Sequence, residues 1–252
     1  MLVVRSFEPR PYTGIGWRLV EAQHQNSTLK LTDDLEEQAI LERLIDDAKP
    51  NLPVECRHLD YLLATPFRYQ ALYPHGSRFR RAGKTLGVFY AAEQVETAVA
   101  ELAFYRLLFF VESPKTPWPD APTEFTAFSV ALDTPRSLDL SEPPLSAKRA
   151  AWTSLTDYAA CQALADAARS AGIVLICYES VRDPGQGRNL AVLDCTAFAQ
   201  PRPLERRTWR LKLGLSGAHA LCEFPVARLS FGRAAFAADP RIAGFCWERN
   251  DH

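Results

Sequence analysis

The run Gly76-Ser77-Arg78-Phe79-Arg80-Arg81-Ala82-Gly83, continued by Gly87-Val88-Phe89-Tyr90-Ala91-Ala92 and by Glu96 to Val111, decides how the chain is read. It is an arginine-bearing loop, a short strand ending at Tyr90, and a mostly apolar helix. From Ala98 to Val111 the only ionisable side chains are Glu101, Tyr105 and Arg106. A carboxylate on so apolar a helix is either paired inside the protein or faces a cleft, because an isolated buried charge costs too much to leave alone. Glu93, Thr97 and Glu101 fall at i, i+4 and i+8, so one polar stripe runs up the helix and ends at Glu101. Spacing alone leaves two readings open for it: the rim of a pocket, or the solvent edge of the helix.

Before this run, residues 1–17 hold prolines and glycines and read as an irregular lead-in, with Gly16 to Val20 as the first strand. Arg18 is a lone basic residue in that strand. A helix is expected from Asp33 to Ala48, capped by Thr32 or Asp33 and stopped by Pro50. Leu35, Ala39, Ile40, Leu44, Ile45 and Ala48 recur on its core face, and its acidic face is solvated. Residues 50–76 form a connector with one short extended piece, Leu62 to Thr65.

After the run, Ser113 to Thr123 carries four prolines and is a loop. Glu124 to Asp133 alternates as a strand does, with a second short strand at Ser137 to Leu140. A helix follows from Asp157 to Ala171, with Thr156 as cap and Gly172 as stop. Ile173 to Tyr178 is a continuous apolar run, the mark of a strand buried on both faces. Ser180 to Arg188 is a loop, and Asn189 to Phe198 another strand. Trp209 to Phe224 reads as a hairpin turning at Ser216-Gly217, and the last dozen residues as frayed. No repeat or domain boundary interrupts residues 1–252, so the expectation is one α+β domain.

Composition narrows the function. The 252 residues are 47% hydrophobic and 23% charged, an ordinary globular balance. Net charge is -1, from 29 basic and 30 acidic side chains, which gives no broad footprint for duplex nucleic acid or anionic lipid. No direct nucleic-acid binding and no membrane association are expected. No apolar run reaches membrane-spanning length, and the start lacks the order of a secretory signal. The six cysteines are scattered in apolar surroundings, which reads as reduced, buried thiols in a cytoplasmic protein. The five histidines form no ligand cluster, so no metal is expected.

Three motifs, in order, resemble the RES domain family. They are Gly76-Ser77-Arg78-Phe79; Tyr90-Ala91-Ala92-Glu93 with Glu101 eleven residues after the tyrosine; and Tyr178-Glu179-Ser180-Val181-Arg182-Asp183-Pro184 with Asn189-Leu190-Ala191. The resemblance covers residues 17–198, with 20–70 as an insertion relative to short members and 199–252 as a C-terminal hairpin and tail. It implies a mixed, split β-sheet core resembling mono-ADP-ribosyltransferases, with flanking helices. It also implies a toxin of a toxin–antitoxin pair with an Xre-type antitoxin as partner. NAD+ is then the substrate, either degraded by phosphorolysis or hydrolysis, or used to ADP-ribosylate a protein. By the family pattern Arg78, Glu101 and Ser180 are the named triad and Tyr90 the active-site tyrosine. Arg18 falls where the family has an early arginine, and Asn189 at a polar position after the serine loop. This chain departs from the pattern in two ways. Roughly sixty residues separate Arg18 from Arg78, and the loop reads Arg-Phe-Arg-Arg where many relatives have Arg-Trp-Asn. The acceptor therefore stays open among phosphate, water and a protein side chain.

These residue types suit cleavage of the nicotinamide–ribose bond. The leaving group is a cationic pyridinium that departs neutral and needs no general acid. The oxocarbenium-like sugar does need help, and a carboxylate such as Glu101 near C1' and the 2'-hydroxyl supplies it. Arg78 offers a planar fork for pyrophosphate. Tyr90 can lie against the nicotinamide ring. Ser180 can bond the ribose or the carboxamide, or orient Glu101, and no nearby base makes it a nucleophile. Taken singly, Arg78 belongs to a solvated basic loop, Tyr90 to a core and Ser180 to the Asp183-Pro184-Gly185 turn; their order along the chain is what links them. Two other readings stand beside NAD+ cleavage: a mono-ADP-ribosyltransferase using the same site, and a non-catalytic partner-binding domain.

Overall fold

The structure is a computed structural model and describes residues 8–21, 32, 34–48, 51–68, 72–73 and 76–248. In chain order it contains β1 (Arg10–Glu21), α1 (Leu35–Ala48), α2 (Tyr61–Ala64), β2 (Leu72–Tyr73), β3 (Gly83–Lys84), β4 (Phe89–Ala92) and α3 (Val95–Glu112). There follow β5 (Thr123–Asp139), α4 (Arg149–Trp152), α5 (Ala159–Ser170), β6 (Leu175–Glu179) and β7 (Arg188–Val192). The chain ends with β8 (Glu205–Gly214), β9 (Gly217–Cys222), β10 (Ala227–Gly232) and α6 (Pro240–Ala243).

Eight strands form one sheet in the order β1-β4-β7-β6-β5-β8-β9-β10, and β2 pairs with β3 apart from it. The sheet is mixed, as expected: β5 and β6 run parallel and the other neighbours antiparallel. It forks and closes rather than splitting in two. Residues 137–139 of β5 pair with β6, residues 123–129 pair with β8, and β1 runs along the other side of β5. Strands β1, β4, β7, β6 and β5 therefore make a ring from which β8–β10 branch. Pro135, which has no amide to donate, lies between the two pairings.

Alternation along the strands sends neighbouring residues to opposite faces. Phe89, Leu190 and Val192 pack with Leu63, Phe67 and Phe128 on one face. Ala191 and Leu193, with Tyr90 beside them, pack against Phe79, Trp152 and Leu164 on the other. α3 is buried almost all round, through Val99, Ala100, Ala103, Phe104, Leu107 and Phe110 among others, as a helix apolar on every side must be. It packs with Trp209, Leu211 and Phe231 of the branch. Each such large side chain contributes about 1.5–3 kcal/mol by leaving water.

Several expectations are corrected. The lead-in is strand from Arg10, because β5 supplies a partner that local sequence does not reveal. The first helix forms, but Leu35, Ile40, Leu44 and Ile45, read as its core face, are exposed, while Gln38 is buried. Asp34 caps it, accepting the amides of Glu36 and Glu37 at 2.8 Å. The lead-in before residue 8, the cap Asp33 and the stop Pro50 lie outside the described residues. Residues 62–65 are helical rather than extended, started by Asp60 accepting the Leu62 amide at 2.9 Å. The two strands expected around 124–140 are one, and a short 3-10 turn, Cys195–Ala197, interrupts the strand expected to reach Phe198. The later helix begins at Ala159, not Asp157, although Gly172 stops it with φ of 72°. A third strand, β10, follows the hairpin, and the tail is packed: Phe236, Ile242 and Trp247 join the α3 core. Cys56 and Cys195 form a disulfide, against the expectation of reduced thiols, and Cys246 is exposed.

Among the described residues, no helix is long and apolar enough to cross a membrane, and no group of three His, Cys, Asp or Glu could hold a metal ion.

Candidate active site

The polar stripe on α3 packs against the 180–189 segment. Tyr12 donates to Glu93 at 3.2 Å and Arg188 pairs with Glu93 at 3.6 Å. Thr97 donates to Asp183 Oδ2 at 2.8 Å. At the end of the stripe, Ser180 Oγ and Asn189 Nδ2 both donate to Glu101 Oε1, at 2.7 and 2.6 Å. Ser180 Oγ also accepts the amides of Arg182 and Asp183, at 3.3 and 3.0 Å. With those lone pairs engaged, its proton is committed to the carboxylate. Ser180 and Asn189 are buried, and Glu101 Oε2 has no hydrogen-bond partner among the described residues.

Close approach of the loop to α3 depends on Gly187. A Cβ there would lie 2.0 Å from Thr97 Oγ1 and 2.7 Å from Asp183 Oδ2. Asp183 itself holds the turn, accepting the amides of Gly185 and Gly187 at 2.8 and 3.2 Å. The resolution between the two readings of the stripe is thus neither solvent edge nor open rim, but a polar seam with one free oxygen at its end.

Arg78 is buried and committed to backbone. Its Nη1 donates to Trp152 O at 2.6 Å, its Nη2 to Ser154 O at 2.9 Å, and its guanidinium lies 4.7 Å from the centre of the Tyr158 ring. Burial opposes its charge, but Tyr178, Cys161 and Tyr158 outweigh that and its pKa stands above the ordinary value. The Tyr90 hydroxyl serves the turn that carries Arg78: it accepts the Phe79 amide at 3.0 Å and lies 2.8 Å from Ser77 Oγ. That turn closes through mutual backbone bonds between Ser77 and Arg80.

Residues to which the sequence assigned no role complete the surroundings. Tyr178 is buried edge-on to Phe79, with ring centroids 4.8 Å apart. Burial pushes its phenol well above the ordinary value, the charges of Glu101 and Tyr90 add to this, and Arg78 opposes it. Tyr105, one helical turn after Glu101, exposes half its surface, yet its hydroxyl is also raised, by burial and then by Glu101, with Arg182 and Arg78 opposing. Glu101 and Arg78 therefore act with opposite sign on the same two phenols. Arg182 lies within the recognised serine motif. It bonds Asp239, Leu155 O and Tyr158 Oη, and stacks 4.1 Å from the Phe104 ring centre. Asp239 carried no local signal, standing 57 residues from Arg182.

Arg18 is not brought to this region. Its guanidinium bonds Tyr90 O at 3.1 Å and lies 4.9 Å from the Phe89 ring centre, on the opposite face of the sheet from Glu101. Two hollows among the described residues also lie elsewhere. One, of about 430 Å³, is lined by Glu124, Arg206, Arg207, Arg210, Glu223 and Phe224 among others. The other, of about 100 Å³, lies between Arg106 and Leu213.

The fold and this seam define a class: a mixed helix-and-sheet protein with one carboxylate, borne on a buried helix and held by a serine and an asparagine. The chain belongs to the RES domain family, whose model matches residues 52–214. That span contains Arg78, Tyr90, Glu101, Ser180 and Asn189, starts after Arg18, and extends past Phe198 to Gly214. Among solved structures, the chain is similar to one in the M. tuberculosis MbcT–MbcA toxin–antitoxin complex. The identity is 11%, covering 79% of this chain and 85% of that one, with a TM-score of 0.43. Comparison with curated proteins gives no match.

Proposed function

We propose that this protein is the toxin of a bacterial toxin–antitoxin pair and that it cleaves NAD+ at the nicotinamide–ribose bond. Family membership supports the reading, and one observation carries it: Glu101 has one oxygen fixed by Ser180 and Asn189 and the other unengaged. A carboxylate held in this way needs no reorganisation when positive charge develops on the sugar, and partial burial strengthens the attraction. The C1'–N bond breaks with both electrons passing to the nicotinamide nitrogen. Oxygen of water or phosphate then bonds C1' and releases its proton. Ser180 and Asn189 orient the carboxylate in this scheme, while Arg78 anchors residues 152–154 and Tyr90 braces the turn that carries Arg78. NAD+ is the substrate, no metal takes part, an Xre-type antitoxin is the partner, and the cytoplasm, where the NAD+ pool lies, is the place of action.

The test is mass spectrometry of NAD+ incubated with the protein, with and without phosphate. Free ADP-ribose, or its 1''-phosphate when phosphate is present, is expected. Glu101→Gln should lower the rate by about two to three orders of magnitude, the usual cost of removing one such electrostatic contact. Intact NAD+, or full activity in Glu101→Gln, overturns the reading. Label retained on a protein band would instead identify a mono-ADP-ribosyltransferase.

A further inference from the structure

We propose that Tyr178 is a substrate-contacting residue of this site, its hydroxyl donating to the ribose 2'-hydroxyl whose own proton goes to Glu101 Oε2. The inference rests on the reading of NAD+ as substrate and gives Tyr178, which the third motif contains, a role that the resemblance did not.

Two of the phenols in this part of the molecule have hydroxyls engaged within the protein, whereas, among the described residues, those of Tyr105, on the exposed side of α3, and Tyr178 are not. That of Tyr90 is engaged by Ser77 and the Phe79 amide. That of Tyr158 donates to Leu155 O and accepts from Arg182, each at 3.3 Å. The Tyr178 hydroxyl has no hydrogen-bond partner among the described residues, and it is not one of the unpartnered polar atoms sealed from solvent. Its oxygen therefore reaches open space although the ring is buried and fixed against Phe79. A hydroxyl that is held in place by its ring and faces open space, with no protein partner among the described residues, is free to bond a ligand.

Register places it correctly. Tyr178 on β6 lies directly opposite Asn189 on β7, and side chains so paired rise from the same face of the sheet within about 5 Å of each other. Asn189 reaches Glu101 Oε1, so Tyr178 stands beside the carboxylate's fixed side. A carboxylate only accepts and a neutral phenol here donates, whereas a sugar hydroxyl does both. One sugar hydroxyl completes both unmet bonds.

The experiment is Tyr178→Phe in the full chain, which removes the hydroxyl and keeps the ring. The melting temperature should be unchanged and kcat/KM for NAD+ should fall about 10- to 100-fold, as for a lost bond to a group held in a water-poor site. On an NAD+ analogue lacking the 2'-hydroxyl of the nicotinamide ribose, wild type and Tyr178→Phe should turn over equally. Wild-type kcat/KM in Tyr178→Phe, or an undiminished penalty on the analogue, overturns this assignment alone. A wild-type protein that neither binds nor cleaves NAD+ overturns the assignment and the proposed function together.

Discussion

Replacing Asp239 by Asn tests the connection between the tail and the site. Arg182 and Asp239 side chains are each 2% exposed and directly bonded, and Arg241 adds a second cation at 2.9 Å. Removing one partner of a buried ion pair leaves an uncompensated charge and costs about 3–5 kcal/mol. Asn keeps one acceptor oxygen for Arg182, and Arg241, only partly buried, can turn to water; both argue for the lower end, about 3 kcal/mol. For a chain of this size that lowers the melting temperature by about 6–12 °C. Urea and thermal unfolding followed by circular dichroism measure it. A loss under about 0.5 kcal/mol, the range of ordinary surface substitutions, refutes the reasoning. Acid gives an independent check. Burial opposes the Asp239 charge, but bonds from Arg241 and the charge of Arg182 hold its carboxyl below the ordinary 3.8. A depressed folded pKa means the stabilisation is complete above the unfolded value and lost as pH falls through the folded one. Wild type should weaken over that acid range more steeply than Asp239→Asn.

Gly187→Ala should push the serine loop off α3, destabilise the protein by about 1–3 kcal/mol as overpacking does, and reduce NAD+ turnover in parallel; unchanged turnover would show that the seam tolerates displacement. Arg78→Lys keeps the charge but cannot span Trp152 O and Ser154 O, so residues 152–158 should exchange amide hydrogens faster, with unaltered exchange counting against the anchoring role. Thiol titration after unfolding without reductant should find four free cysteines, and six after reduction, since only Cys56 and Cys195 are paired; six in both conditions would exclude the disulfide.

Local chemistry made part of this protein legible from residues alone. α5 and its glycine stop, the buried strand before Tyr178, and the apolar helix bearing Glu101 all follow from periodicity and breakers, which act within a few residues. The motif order named Arg78, Tyr90, Glu101, Ser180 and Asn189, and the chain is indeed a RES domain. Tertiary structure decided what those side chains touch. Arg78 meets carbonyls 74 and 76 residues away, Glu101 is fixed from 79 and 88 residues away, and Arg182 finds its carboxylate in the tail. It also decided that β1 starts at Arg10 and that the apolar stripe of α1 faces outward. Hydrophobic periodicity says that a face prefers burial, but pairing partners and cover come from distant segments, and chain closure over such distances leaves no local mark.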